Sequence, residues 1–205
     1  MPDIHTIGHS NHEIERFIEL LQKYDVGSVV DVRSVAYSKR YPQFNREPLQ
    51  YKLRENGIGY AHFSQSFGAR RTEPEVMDDA GRVDFDRVRQ LDAFERGIER
   101  LMDGIEQGHT IALMCAEADP LSCHRFGMVS VELSRRGLHV KHILPDGNVK
   151  DQDEVEDELL ERYKKDIPQS NLFQPEVSRD EQLTAAYRAL NSKIAWKEEQ
   201  EVSQE

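Results

Sequence analysis

The stretch that most constrains this chain runs from His109 to Arg125, HTIALMCAEADPLSCHR. Its first part, Thr110–Met114, is apolar and uncharged, the composition of a strand buried on both faces of a helix-covered parallel sheet. The segment then breaks through Cys115, Glu117, Asp119 and Pro120, and it re-enters a helix through Ser122, Cys123, His124 and Arg125. In an open α/β sheet, the turn from a strand's carboxyl end into the next helix is where ligands bind. The helix start there offers free N–H groups and a partial positive charge. Both cysteines of the chain fall in this one turn.

Four further strands follow from short apolar runs at Ile4–Ile7, Ser28–Val32, Tyr60–Phe63 and His139–Leu144. Helical periodicity fills the intervals: Ile14, Phe17, Ile18 and Leu21 mark one helix over 12–24, and Pro48 opens a short one that Gly57 stops. Phe85, Val88, Leu91, Ile98, Leu101 and Ile105 mark a single long helix, and Gly137 ends the helix that carries Arg125. Ser10 and Glu13 have the spacing of a capping box. Residues 64–83 have no periodicity and read as a long loop. The expected fold is α/β, a doubly wound, mainly parallel sheet of about five strands with helices on both faces and a C-terminal helical extension. Residues 1–150 form the α/β domain with the site. Residues 151–205 form an acidic helical extension packed on it, with a polar linker at 166–179 and a frayed tail.

At 205 residues the length suits one well-cored domain. No apolar run is long enough to span a membrane, so no membrane partner is expected, and Pro2–Asp3 argues against a signal-peptide start. Two cysteines without a secretory signal point to free thiols in the cytoplasm. The net charge of −11 is uneven: residues 151–205 hold 15 acidic against 7 basic side chains, whereas residues 33–71 hold 8 basic against 2 acidic. Seven of the 16 aromatic residues also lie in that basic segment. The acidic total argues against a nucleic-acid-coating protein, while the basic aromatic segment still suits a small anionic or nucleotide-like ligand and leaves nucleic acid open as a partner. Oligomeric state is not readable from the sequence.

TIGHSN at Thr6–Asn11, DVRS at Asp31–Ser34, YPQFN at Tyr41–Asn45 and CAEADPLSCHR at Cys115–Arg125 occur in order, and with them the chain resembles the family named domain of unknown function 488. The resemblance spreads over most of residues 4–147 and extends to the last helix with its IAW sequence. It implies a fold and a set of positions rather than a reaction. A cysteine at a strand end followed by an arginine is also similar to rhodanese-type sulfurtransferases and cysteine phosphatases, in which loop N–H groups cradle an anion. Here nine residues separate Cys115 from Arg125, and Glu117 and Asp119 would repel an anion, so that likeness concerns architecture. Asp119–Pro120 reads instead as a helix cap with proline at the first position.

Cys123, in a first helical turn beside Arg125, has the setting that favours a thiolate, and with Cys115 it is a candidate nucleophile. Buried packing is the competing role for both. Glu117, two residues past Cys115 and on its side of an extended chain, is a candidate general base or guanidinium partner. His9 and His124 are candidate acid–base groups. Gly8, Ser10 and Asn11 after the first strand, and Asp31, Arg33 and Ser34 after the second, are candidate ligand-binding positions. Tyr41, Phe44, Asn45, Arg70 and Arg71 supply rings and cations for phosphates and stacked bases, and Arg125 is a second anion-binding cation. Cys115, Cys123 and His124 with His9 or His62 lack the paired spacing of structural zinc, and adjacent Cys123 and His124 should diverge from a helix, so no metal ligand is assigned and the cofactor stays unknown. The expectation is a cysteine-dependent transferase or hydrolase acting on a phosphate-bearing ligand. The alternatives are a non-catalytic nucleic-acid-binding module, rhodanese-like sulfur transfer and a metal-dependent activity.

Overall fold

Strand and helix alternate as the apolar runs require, in a structure (a computed structural model) that describes residues 2–170 and 176–197. In chain order the elements are β1 Asp3–Gly8, α1 Ile14–Lys23, β2 Ser28–Asp31, α2 Arg46–Glu55, β3 Gly59–His62, α3 Ser64–Phe67 and α4 Phe85–Val88. They continue with α5 Asp92–Glu106, β4 Ile111–Cys115, α6 Val131–Arg135, β5 His139–Ile143, β6 Val149–Asp151, α7 Gln152–Arg162 and α8 Arg179–Ile194. The end of the tail and the middle of the 166–179 linker lie outside the described residues.

The strands form one sheet in the order β3-β2-β4-β1-β5-β6, parallel throughout except for β6. The period-2 pleat sends Ala112 and Met114 of β4 to one face, where Ile7, Val29 and Ile143 join them under Phe17 and Leu21 of α1 and Leu49 and Leu53 of α2. Ile111, Leu113 and Cys115 go to the other face, against Ile98 and Leu101 of α5 and Leu133 of α6. Thus β1 and β2 feed helices on one face, while β3 and β4 feed helices on the other. Neighbouring β1 and β4 therefore lead in opposite directions, and a crevice opens between their carboxyl ends. A third apolar cluster joins Leu121, Phe126 and Val131 to α7 and α8 through Val155, Leu159, Ala186 and Leu190.

Several local expectations need correction. The sheet has a sixth strand, because the Pro145–Gly147 turn reverses the chain and pairs Val149–Asp151 antiparallel to β5. The long helix is two helices: Leu91 takes extended backbone, so that Phe85 can pack beside Gly127 while Gly97 of α5 lies against Ser66 and Phe67 of α3. Residues 64–83 hold α3, a 3-10 turn at Pro74–Val76 and a bridge between Met77 and Val83. Ser10 does not cap α1, because its backbone turns to φ 48 and its hydroxyl donates to Asn11 instead.

Gly8 holds the crevice in register. Just beyond it the N–H of His9 donates to Cys115 O (2.9 Å) and that of Ser10 to Ala116 O (2.8 Å), and a Cβ on Gly8 would sit 1.9 Å from Glu117 O. Gly8→Ala is expected to lower the unfolding free energy by about 2 kcal/mol or more. Gly27→Ala, with its nearest neighbour 3.9 Å away, should stay within about 1 kcal/mol of the parent. Urea unfolding of the two variants makes the comparison, and equal stabilities would contradict this account of the crevice.

Candidate functional site

The loop leaving β4 is shaped from inside by Arg125. Its guanidinium is fully buried and donates to Glu117 O (2.6 Å), Ala118 O (3.0 Å) and Thr6 Oγ1 (3.4 Å). At the loop's far end Asp119 accepts from the N–H of Leu121 and caps the turn Pro120–Ser122, as its sequence predicts. Cys123 then takes extended backbone before a wide turn of π-helix, Arg125–Ser130, runs into α6. Loop carbonyls point inward to Arg125, and the N–H groups of Leu121, Ser122 and Cys123 are bonded within the turn.

Because Cys123 is extended rather than helical, it and His124 do not diverge. Nδ1 of His124 lies 3.6 Å from Sγ of Cys115 and 4.0 Å from Sγ of Cys123, while Nε2 lies 3.0 Å from Val32 O. That carbonyl can only accept, so Nε2 carries a hydrogen and Nδ1 is the nitrogen turned to the sulfurs. The Cys115 thiol meets Oε2 of Glu117 at 3.0 Å. Burial and the neighbouring Cys123 sulfur push the Cys115 thiol up. Burial also opposes a Cys123 thiolate, but the Cys115 thiol, the Arg125 charge and His124 outweigh it and hold Cys123 well down. Protein crowded around Glu117, with Cys123 beyond it, raises the carboxyl of Glu117. Burial works against a charged His124, yet the Cys123 sulfur pushes it up.

The ends of β1 and β2 meet this cluster through a second buried set. Asp31 grips Arg33 through two bonds, Nε–Oδ1 at 2.9 Å and Nη2–Oδ2 at 2.6 Å, and accepts from the Tyr60 hydroxyl at 2.9 Å. Arg33 also donates to Phe44 O (2.9 Å) and faces Nε2 of His9 at 3.2 Å. His9 stacks on Phe44 with ring centroids 4.4 Å apart, and its Nδ1 lies 3.0 Å from Ser10 O. Burial, then the Arg33 charge, hold His9 down to about 4. With Nδ1–H donated to Ser10 and Nε2 accepting from Arg33, its ring is neutral and both nitrogens are engaged.

Above both sets lies a cleft of about 900 Å³. Of the sequence-selected residues, His9, Ser10, Asn11, Arg33, Ser34, Tyr41, Arg70, Cys115, Glu117 and His124 line it. The others stand behind it. Gly8, Asp31, Phe44, Cys123 and Arg125 are enclosed beneath, and Asn45 accepts from Ser38 N to brace its loop. Arg71 is tied to the carbonyls of Gly68, Gln65 and Ser66 and to Glu73. Tyr37, Arg40 and Trp196 also line the cleft. Arg40 flanks Tyr41 and lies over that ring at 5.4 Å. Trp196 had no local signal. It arrives from the far end of the chain, where its carbonyl accepts from the N–H of Val83.

A family model described as Domain of unknown function DUF488 matches residues 13–130. The chain belongs to this family. The DUF488 match takes in Arg33, Cys115, Glu117, Cys123, His124 and Arg125, while His9 precedes it and Trp196 follows it. No curated protein and no solved structure matches the chain. Among the described residues no helix is long and apolar enough to cross a membrane.

Buried histidines set the pH response of this DUF488 chain. His142 accepts or donates to Thr6 (2.8 Å) and Gln152 (2.9 Å), and burial holds it down to about 3. His9 and His142 are neutral when folded, whereas unfolded histidine titrates near 6.5. As pH falls the unfolded chain takes up protons first, so stability present above about pH 6.5 is lost towards about pH 4. Each residue is expected to remove about 2 kcal/mol of stability between pH 7 and pH 5. In urea titrations at those two pH values, His142→Gln should shrink the pH-dependent loss by about 2 kcal/mol, and an unchanged difference would refute the assignment.

Proposed function

We propose that this protein is an enzyme for a small anionic, ring-bearing ligand of the nucleotide type, bound in the cleft with its reacting end on the floor formed by Cys115, Glu117 and His124. The observation that carries the reading is the convergence of two kinds of group on one cavity. Sulfur, carboxyl and imidazole lie together at its base, and Arg40, Arg70, Tyr37 and Tyr41 stand around it. The division follows from the wiring beneath. Arg33 and Arg125 are committed to Asp31 and to loop carbonyls, so ligand charge falls to Arg40 and Arg70, both exposed and in no ion pair among the described residues. Exposed arginines beside rings suit a phosphate and the base or sugar attached to it. Glu117, its carboxyl raised by the protein around it and open to the cleft, is the group placed for proton transfer.

A competing reading, a non-catalytic module for single-stranded nucleic acid, draws on Val35 and Tyr37, which are 56% and 60% exposed beside the same cleft. Titration calorimetry with the four 5′-mononucleotides, inorganic phosphate and a short single-stranded oligonucleotide separates the two. The enzyme reading expects a mononucleotide to bind more tightly than phosphate, and Arg40→Ala or Arg70→Ala each to weaken it about tenfold. Tight oligonucleotide binding with a steep salt dependence, and no mononucleotide binding at millimolar concentration, would replace it with the module.

A further inference from the structure

We infer that Cys115, Cys123 and His124 form a mononuclear site for a zinc-type divalent cation, with Glu117 beside its open coordination position. This deepens the reading of the cleft as the reactive site and rests on it only for the ion's purpose, not for its binding. The three ligand atoms lie within 4.8 Å of one another. A tetrahedral zinc with Zn–S near 2.3 Å and Zn–N near 2.0–2.1 Å places sulfur and nitrogen ligands about 3.6 Å apart. Nδ1 of His124 stands 3.6 Å from the Cys115 sulfur, the edge spacing such an ion needs, and 4.0 Å from the Cys123 sulfur, which would have to draw in slightly.

The orientation of the ring is an independent observation. A metal-binding histidine fixes its free nitrogen by donating the opposite N–H to a carbonyl or carboxylate. Nε2 of His124 does this to Val32 O, and so delivers the Nδ1 lone pair to the space between the two thiols. The frame is also rigid, since Cys115 ends a central strand and Cys123 is fixed by the turn that Asp119 caps.

The donor set specifies the ion and its task. Two thiolates and an imidazole favour zinc over magnesium or calcium, which take oxygen. Among the described residues no fourth cysteine or histidine completes the cluster. Cys115 and His124 line the cleft, so the vacant side faces it, as in sites where zinc holds water for reaction. Glu117, 3.0 Å from Cys115 Sγ, stands where a carboxylate would accept a hydrogen from that water. Two thiolates also balance the charge of the dication.

Cobalt(II) titration of the chelator-treated full chain tests this. One equivalent is expected to give thiolate-to-cobalt charge-transfer absorption and ligand-field bands of tetrahedral intensity, which one equivalent of zinc abolishes. Cys123→Ser and His124→Gln should each weaken cobalt binding at least tenfold, whereas Glu117→Gln should keep the charge-transfer band. Circular dichroism checks that each variant folds. For the unaltered chain, zinc should shield both thiols from iodoacetamide, a readout that needs no variant. Absence of charge-transfer absorption, or an unchanged spectrum in folded Cys123→Ser and His124→Gln, would overturn the site. Metal binding without mononucleotide binding would remove only the ligand reading, and mononucleotide binding without cobalt uptake would remove only the metal.

Discussion

The buried guanidinium of Arg125 is the interaction on which the rest of the site depends. A full positive charge with no solvent access is costly, and among the described residues no carboxylate lies within ion-pair range of it. Three oxygens solvate it instead: two carbonyls of the loop after β4 and the hydroxyl of Thr6 on β1. Those bonds draw the loop over β1, which is why Gly8 has no room for a side chain. With its carbonyls drawn inward, the loop presents Cys115 and Glu117 to the cleft. The Arg125 charge also lowers the Cys123 thiol, so the same charge that shapes the loop favours a thiolate within it.

The polar chain does not end at Thr6. Its hydroxyl meets His142, whose other nitrogen meets Gln152, and Gln152 donates to Tyr187 (2.8 Å) and Glu156 (3.2 Å). One connected path of buried hydrogen bonds thus joins the floor of the cleft to α7 and α8. Such a path tolerates no missing partner, because each orphaned group would bear its own desolvation penalty. The Asp31–Arg33 pair plays the matching part on the other side. By also holding Phe44 O and His9, it fixes the segment that brings Tyr37, Arg40 and Tyr41 to the cleft.

The order of strand and helix was legible because burial on two faces leaves a composition that only a covered parallel sheet explains. The place of the cleft was legible too, since both cysteines sit where a strand hands over to a helix. What the sequence could not show is which cations stay free. Arg33 and Arg125 have the motif positions, yet each is consumed by acceptors that only the folded chain assembles, while Arg40 in an irregular stretch remains exposed. The relation of Cys123 to His124 was hidden for a similar reason. Periodicity extends a helix through them, but the turn capped by Asp119 ends at Ser122 and leaves Cys123 extended, a single backbone change that folds the imidazole back onto both sulfurs.

The electrostatic layout also reconciles an acidic chain with the anionic ligand proposed for its cleft. Of the acidic side chains, many are in the C-terminal quarter, and α7 packs on the third apolar cluster rather than on the cleft. The C-terminal segment contributes Ile194 and Trp196 to the cleft, both uncharged. Around the cavity the carboxylates are either paired, as Asp31 is with Arg33, or turned to sulfur, as Glu117 is. A field that is negative far from the cleft and positive at its mouth does not repel an anion at close range, because charges beyond about 8–10 Å are largely screened at physiological salt. Local geometry, rather than net charge, therefore decides what this cavity admits.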